Sequence, residues 1–274
     1  MENQSELRKL QLCELDILCR FVDICEKNNL RYFMLGGTLL GAVRHKGFIP
    51  WDDDVDVCMP REDYYKLIEI AQKEMELPYY ITSAELDDKY RYCFGRIANG
   101  SIKIKNNSAN IPRIEDAWID IIPLDGMPDG KLRLKIHKLK LFLYRSMNQI
   151  AQYEELVDQK RKRKKIEALL VKLAGLKIFR KSYDYHKCIM RIQKQLCKYK
   201  YDDCENVINY MAAYGFKETF SKSWFGEGKE YEFESRRIQG PVDYDSVCRQ
   251  IYGADYMTPP PMDDRNKHNA EIVQ

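Results

Sequence analysis

Asp52, Asp54 and Asp56 fall at alternate positions in the run PWDDDVDVCM. In an extended chain successive side chains point to opposite faces, so Asp54 and Asp56 share one face and Val55 and Val57 the other. Carboxylates held that close repel one another unless a cation lies between them, and hard oxygen donors suit Mg²⁺ or Mn²⁺. Divalent ions held by aspartates commonly escort phosphate, so the run points to phosphoryl-type transfer. Upstream, Gly36-Gly37-Thr38 reads as a turn opening a helix, whose free backbone amides would cradle a phosphate. Arg44, His45 and Lys46 lie between that turn and the aspartates. They read either as a solvated basic loop or as donors of charge-assisted bonds to a diphosphate.

Asp120 interrupts the otherwise apolar AWIDIIPL. A carboxylate in such a strand is unfavourable unless paired or coordinated. It therefore reads as a third metal ligand beside Asp54 and Asp56, and as the candidate general base for an attacking hydroxyl. The same aspartate spacing matches the first three ligand positions of a calcium-binding EF-hand loop. That reading fails at the sixth position, where Val57 stands in place of the required glycine.

The elements that must position these groups follow from hydrophobic periodicity. Residues 5–27 predict an amphipathic helix with Leu10, Cys13, Ile17, Phe21 and Ile24 on its apolar stripe. A short strand is expected over Leu30–Leu35, then a helix over Thr38–Arg44 capped by Thr38. The acidic strand is expected over Asp54–Met59 and is stopped by Pro60; a helix then runs over Glu62–Glu76, with Tyr65, Leu67, Ile68 and Ala71 inward. Strand patterns return at Tyr79–Thr82 and Tyr90–Ile97, with an Asn99-Gly100 turn leading to a hairpin partner, Ser101–Ile104. A further strand is expected at Trp118–Ile122. Beyond Lys131 the pattern is helical to about Lys200, with Leu132, Ile136, Leu139, Leu143 and Met147 in phase, and the remainder mixes short strands and a helix.

This order implies an α+β fold, a small mixed sheet flanked by helices, with a basic helical block attached. The expected segments are a catalytic core over 1–130, the basic block over 131–205, and a C-terminal segment over 206–274 packing on the core.

The 274 residues are 45% hydrophobic and 12% aromatic, which excludes a disordered chain. No apolar run is long enough to span a membrane, and MENQSELRKL lacks the apolar region of a secretory leader. Nine scattered cysteines without a CxxC pair read as reduced, buried thiols, which suggests a cytoplasmic location. The net charge of +3 hides an asymmetry: residues 131–200 hold 21 Lys and Arg against 5 Asp and Glu, the other 204 residues 24 against 37. The sharpest stretch is Lys160–Lys165, KRKRKK. It reads as a solvated helix surface, or as a face for a phosphate-rich acceptor, a membrane surface or nucleic acid.

The run GGTLLGAVRHKGFIPWDDDVDV resembles the signature of the LicD family of phosphorylcholine transferases. IDIIPLDGMP, and YGADYMTPPP before Lys267 and His268, resemble that family as well, whereas the basic block matches nothing assignable. The family belongs to the nucleotidyltransferase fold superfamily, whose pattern is a glycine pair, a D-x-D strand and a later acidic strand. Here these are Gly36-Gly37, Asp54 with Asp56, and Asp120. The family is similar to fukutin-type transferases, which move ribitol phosphate from a CDP-linked donor.

The resemblance implies an Mg²⁺-dependent enzyme (or Mn²⁺ in its place) that moves phosphocholine from CDP-choline to a sugar hydroxyl, releasing CMP. The acceptor would be a cell-surface glycan or its lipid-linked precursor, such as lipopolysaccharide or teichoic acid, met at the inner face of the membrane. Phosphoethanolamine and ribitol phosphate stay open as the transferred group, and nucleic acid is not expected as a partner. If choline is the alcohol, an aromatic cage must hold it, with Trp51, Trp118 and the 19 tyrosines available. Two other readings are a nucleotidyltransferase using an NTP, and a basic binding module with a dead site. The intact aspartates argue against the second.

Overall fold

In the computed structural model, which describes residues 2–106, 113–153, 183–212, 214–262, 265 and 271–273, one long strand organises the chain. This is β5 (Arg113–Met127), whose second half is almost continuously buried. It pairs in parallel with β2 (Asp56–Pro60) and antiparallel with β4 (Gly95–Asn106). Outside β2 lies β1 (Phe33–Met34), and β3 (Tyr79–Thr82) pairs with β4. The C-terminal end of β5 pairs with β6 (Asn206–Ile208), which pairs with β7 (Thr219–Ser221). With β10 (Glu271–Ile272) on β4, eight strands of the described residues form one mixed sheet. A separate hairpin joins β8 (Lys229–Phe233) to β9 (Arg236–Gly240). The C-terminal segment thus shares its sheet and its main hydrophobic cluster, through Val207, Phe220 and Phe225, with the N-terminal part.

Helices cover this sheet, giving the expected α+β class. The helix α1 (Glu2–Lys27) buries Leu10, Ile17, Leu18 and Phe21 and lies along β4 and β5. Both α2 (Gly36–His45) and α3 (Arg61–Glu74) flank β2. Next come α4 (Lys131–Ala151) and α5 (Tyr185–Leu196), which pack on each other over a second, smaller cluster containing Leu141, Ile189 and Ile192. Finally α6 (Tyr244–Tyr252) lies against α2. The basic run Lys160–Lys165, Lys267 and His268 lie outside the described residues.

Several expectations from the sequence change. The strand expected over Leu30–Leu35 shrinks to β1. Asn99-Gly100 is not a turn: β4 runs through it with a register shift between Asn99 and Lys103, so no hairpin forms there, and Tyr90–Phe94 precede the strand instead of belonging to it. Gly100 N donates to Pro78 O (2.8 Å) and Asn99 Oδ1 accepts from Ser101 N (3.0 Å), so the irregularity satisfies its own amides. Thr38 does not cap α2. The capping position is Leu35, and Thr38 Oγ1 instead accepts from Asp56 N (2.8 Å), fastening α2 to the start of β2. On α3, Tyr64 is the fully buried tyrosine and Tyr65 only partly so.

A buried ion pair joins α3 to the end of β5. Arg61 Nε donates to Asp125 Oδ1 (2.8 Å) and Nη2 to Oδ2 (2.7 Å), with both side chains almost inaccessible. Removing one partner strands the other charge in a low-dielectric interior. We expect Asp125→Ala to lower the unfolding free energy by about 3–5 kcal/mol in urea denaturation. A loss below about 1 kcal/mol, the range of surface pairs, would contradict the structural importance of this pair.

Candidate active site

Three elements bring the acidic residues together. Asp52 and Asp54 lie on the segment entering β2 and Asp56 opens that strand. Val55 and Val57 are buried on the opposite face, as the alternation requires. Register places Asp120 of β5 beside Asp56, with Asp120 N donating to Val55 O (2.9 Å). From α1, Glu14 reaches beneath the same group. It is buried, and its Oε2 has no hydrogen-bond partner among the described residues. It occupies the apolar phase of α1, three residues before Ile17 and four after Leu10, a signal that sequence reading could have used.

The glycine pair makes room for this cluster. A Cβ on Gly37 would stand 2.4 Å from Asp52 Oδ2, and one on Gly36, whose φ is +58°, would stand 3.1 Å from Asp56 Oδ2. The carboxylates therefore abut the first turn of α2, the end of a helix that favours negative charge. That turn carries no acidic residue of its own.

The electrostatic result is a set of carboxyls that resist ionising. Burial, reinforced by Asp54 and Asp53 and by a side-chain hydrogen bond shared with Asp54, raises Asp52 to about 8. Burial, then Asp54, Asp120 and Asp52, push Asp56 well above the usual carboxylate range. Glu14 is raised the same way by burial and then by Asp54, Asp53 and Asp52. Asp120 is raised by burial but moderated by Arg96, whose Nε donates to its Oδ1 (2.8 Å). The Arg96 guanidinium lies 4.1 Å from the ring centres of both Tyr92 and Trp118. Trp118 thus holds Arg96 and does not line the cavity beside the aspartates.

That cavity has a volume of about 730 Å³, within the roughly 300–1,000 Å³ of small-molecule sites. Its walls include Gly36, Gly37, Arg44, Trp51, Asp52, Asp54 and Asp56. Thr38, His45, Lys46 and Asp120 are not among its lining residues. Arg44 Nη1 is tied to Tyr256 O (3.1 Å) and its Nε donates to His45 Nε2 (2.9 Å). Burial and Arg44 lower the His45 pKa, so its ring stays neutral and adds no positive charge. Lys46 ends α2 in the left-handed region (φ 63°) with an exposed side chain. Trp51 lines the cavity, with the Arg265 guanidinium 4.0 Å from its ring centre.

The rest of the lining was not legible in the sequence. Much of it comes from the C-terminal segment: Asn209, Tyr214, Glu218, Tyr252, Asp255 and Tyr256. Glu218 is buried, accepts from Asn209 Nδ2 (2.7 Å) and Tyr214 N (3.1 Å), and is raised to about 7 by burial against these bonds. It stands near enough to Asp56 to add to that residue's repulsion. A lone glutamate in GFKETF carries no local signature. Only the β5–β6–β7 pairing brings it here.

The residues fit a hard divalent ion in chemistry: several oxygen donors, mutual repulsion for a cation to relieve, and an unpartnered Glu14 oxygen. Among the described residues, no three His, Cys, Asp or Glu side chains are gathered as a metal-holding group. Asp52 is hydrogen-bonded to Asp54, and Asp56 stands beside Asp120.

In the unfolded chain these carboxyls lose their protons near pH 4, whereas in the folded protein Asp52 keeps its proton to about 8 and Glu218 to about 7. Between those limits the folded state binds more protons, so their contribution to stability falls as pH rises. In chelator-treated protein, the stability advantage of wild type over Asp52→Asn should shrink steadily from pH 5 to pH 8, measured as the difference in Tm. A constant or growing advantage would contradict the crowding of carboxyls described here.

The sequence profile described as LicD/FKTN/FKRP, nucleotidyltransferase domain, matches residues 29–121, from the approach to β1 through Asp120 in β5. The lipopolysaccharide cholinephosphotransferase LicD of Haemophilus influenzae is 31% identical over 277 residues, covering 97% of this chain and 96% of that protein. An uncharacterized protein of Rickettsia prowazekii is 43% identical over 60 residues, 22% of this chain and 23% of that one. The human ribitol 5-phosphate transferase FKRP is 50% identical over 42 residues, 15% of this chain and 8% of that protein. Glycine pair, aspartate strand and later acidic strand thus stand inside a match that extends along nearly the whole chain, and the protein belongs to the LicD family of transferases, relatives of the fukutin type.

Proposed function

We propose that this enzyme transfers phosphocholine from CDP-choline to a hydroxyl of a cell-surface glycan, or of its lipid-linked precursor, and releases CMP. The observation that carries the reading is the composition of the cavity wall. Asp52, Asp54, Asp56, Glu218 and Asp255 line it together with Tyr214, Tyr252 and Tyr256. Carboxylates with tyrosine rings suit a quaternary ammonium, which neither ribitol nor a nucleoside triphosphate carries. A lipopolysaccharide cholinephosphotransferase as a full-length relative supports the same alcohol and suggests lipopolysaccharide as acceptor.

A diphosphate donor cannot approach so many carboxylates without compensating cations. In this reading Asp54 and Asp56 hold Mg²⁺ or Mn²⁺, and Asp120 contributes the oxygen that Arg96 leaves free. Such an ion, when bound, neutralises the diphosphate and the charge that develops on it. The amides of the first turn of α2 and the Arg44 guanidinium complete the donor's phosphate contacts. The general base expected from the sequence was Asp120, but Arg96 engages it. Glu218 lines the cavity and titrates near 7, and that observation favours Glu218 for accepting the acceptor's proton. Residues 1–130 then bind donor and metal, and the C-terminal segment supplies Asn209, Glu218 and Tyr252 to the cavity. All nine cysteines are free thiols, which suits a reducing compartment, so we place the reaction in the cytoplasm.

Thermal unfolding with and without Mg²⁺, across CDP-choline, CDP-ethanolamine, CDP-ribitol, CTP and ATP, tests the donor. A ligand at ~100 Kd stabilises the folded state by ~2.7 kcal/mol, a readable rise in Tm. We expect the largest rise with CDP-choline plus Mg²⁺. Asp56→Asn should abolish the metal-dependent part and lower kcat by about 10³-fold or more, as several kcal/mol of transition-state stabilisation is lost. A response to CTP or ATP with none to any CDP-alcohol would replace this reading with nucleotidyl transfer. A response to CDP-ribitol alone would keep the mechanism and change the alcohol.

A further inference from the structure

The helix α4 is amphipathic in the wrong sense for a core helix. Its best apolar periodicity, Leu132, Ile136, Leu139 and Leu143 at i, i+4, i+7 and i+11, forms one stripe along the helix. That stripe faces outward. These four residues, with Phe142 at the stripe's edge, are between 45% and 71% exposed. The inward face is mixed: His137 and Asn148 are buried beside Leu141, and Leu134 and Tyr144 are partly buried there. His137 Nδ1 is hydrogen-bonded to Gln195 Nε2 (2.7 Å), and Asn148 Oδ1 accepts from Gln152 Nε2 (3.0 Å). Leu141, with Leu134 and Tyr144 partly buried, joins α4 to the second hydrophobic cluster, and the longer apolar stripe is left without a partner in the described structure.

The charges beside the stripe say what covers it. At 100° per residue, Arg133 and Lys140 fall along one side of the stripe and Lys131 and Lys135 along the other. All four are exposed, and α4 contains no Asp or Glu. Long cationic side chains bordering an apolar stripe place their heads at a phosphate layer while their stems lie along the apolar zone. A second copy of the chain docked stripe to stripe would instead bring two rows of cations together. Among the described residues no helix is long and apolar enough to cross a membrane, so contact lies in the plane of the surface.

We propose that the outer face of α4 docks the protein on an anionic lipid bilayer. The inference rests on α4 alone and does not depend on the identity of the transferred group. It gives the cationic helix α4 a role at the bilayer, where a membrane-anchored glycan acceptor would be displayed.

The full-length chain is tested by co-sedimentation with vesicles of phosphatidylcholine alone and of phosphatidylcholine with ~30% phosphatidylglycerol. Wild type should partition at least about tenfold better onto the anionic vesicles, and less well as salt is raised. Ile136→Ser with Leu139→Ser should reduce that partition about tenfold or more, because the buried apolar area is lost. The same double variant should keep the wild-type Tm and its turnover of a soluble acceptor, since neither side chain touches the cavity. Lys135→Glu with Lys140→Glu should lose the preference for anionic vesicles. Three outcomes would overturn the proposal: no binding of wild type to anionic vesicles, equal binding by wild type and the serine variant, or a wild-type dimer in sedimentation equilibrium that the serine variant dissolves. The last would assign the stripe to a second copy.

Discussion

The rest of the structure is arranged around one electrostatic conflict: carboxylates crowded into a poorly hydrated space at the start of α2. Asp52, Asp54, Asp56, Asp120 and Glu14 come from α1, the approach to β2, and β5, and each raises the energy of ionising its neighbours. Packing enforces the proximity. The parallel register of β2 and β5 sets Asp56 beside Asp120, Thr38 ties α2 to Asp56, and two glycines remove the side chains that would have kept the carboxylates away. Arg96, held between two aromatic rings, relieves part of the repulsion at Asp120 only. Arg44 eases Asp52, and the remaining repulsion is relieved by protons or, in the proposed reaction, by a divalent ion.

Seen this way, the α+β fold is a device for keeping opposing charges and rings at fixed positions. The central strand β5 carries Asp120 in mid-course and Asp125 near its end, where Arg61 secures α3. Its pairing with β6 delivers the C-terminal segment to the cavity, setting Glu218 and the tyrosines in one lining with the aspartates. One strand therefore positions both parts of the lining, and the site cannot form before that long-range pairing does.

What the sequence revealed and what it hid divide along a physical line. The aspartate alternation was legible because a strand has a period of two, and burial of Val55 and Val57 followed from it. Asn99-Gly100 carried a turn signal, yet the same residues serve a bulge that satisfies its own amides, and local propensity cannot distinguish these outcomes. Thr38 looked like a cap because capping and cross-element bonding use the same hydroxyl. Glu218, Asn209 and Tyr252 were invisible because only tertiary pairing makes them neighbours of Asp56. In α4 the periodicity was read correctly as helix, but the inward face carries His137 and Asn148 beside Leu141, and no hydropathy pattern favours burying those two polar residues.

The central claim, that crowding keeps some of these carboxyls protonated until a divalent ion takes the protons' place, is tested most directly by titration calorimetry. Mg²⁺ or Mn²⁺ is titrated into the protein at pH 7 in buffers of differing ionisation enthalpy. Because ligands must be deprotonated to bind metal, the observed heat should depend on the buffer, with about one proton or more released per ion bound. Binding with no proton release, or no binding at all, would contradict the account.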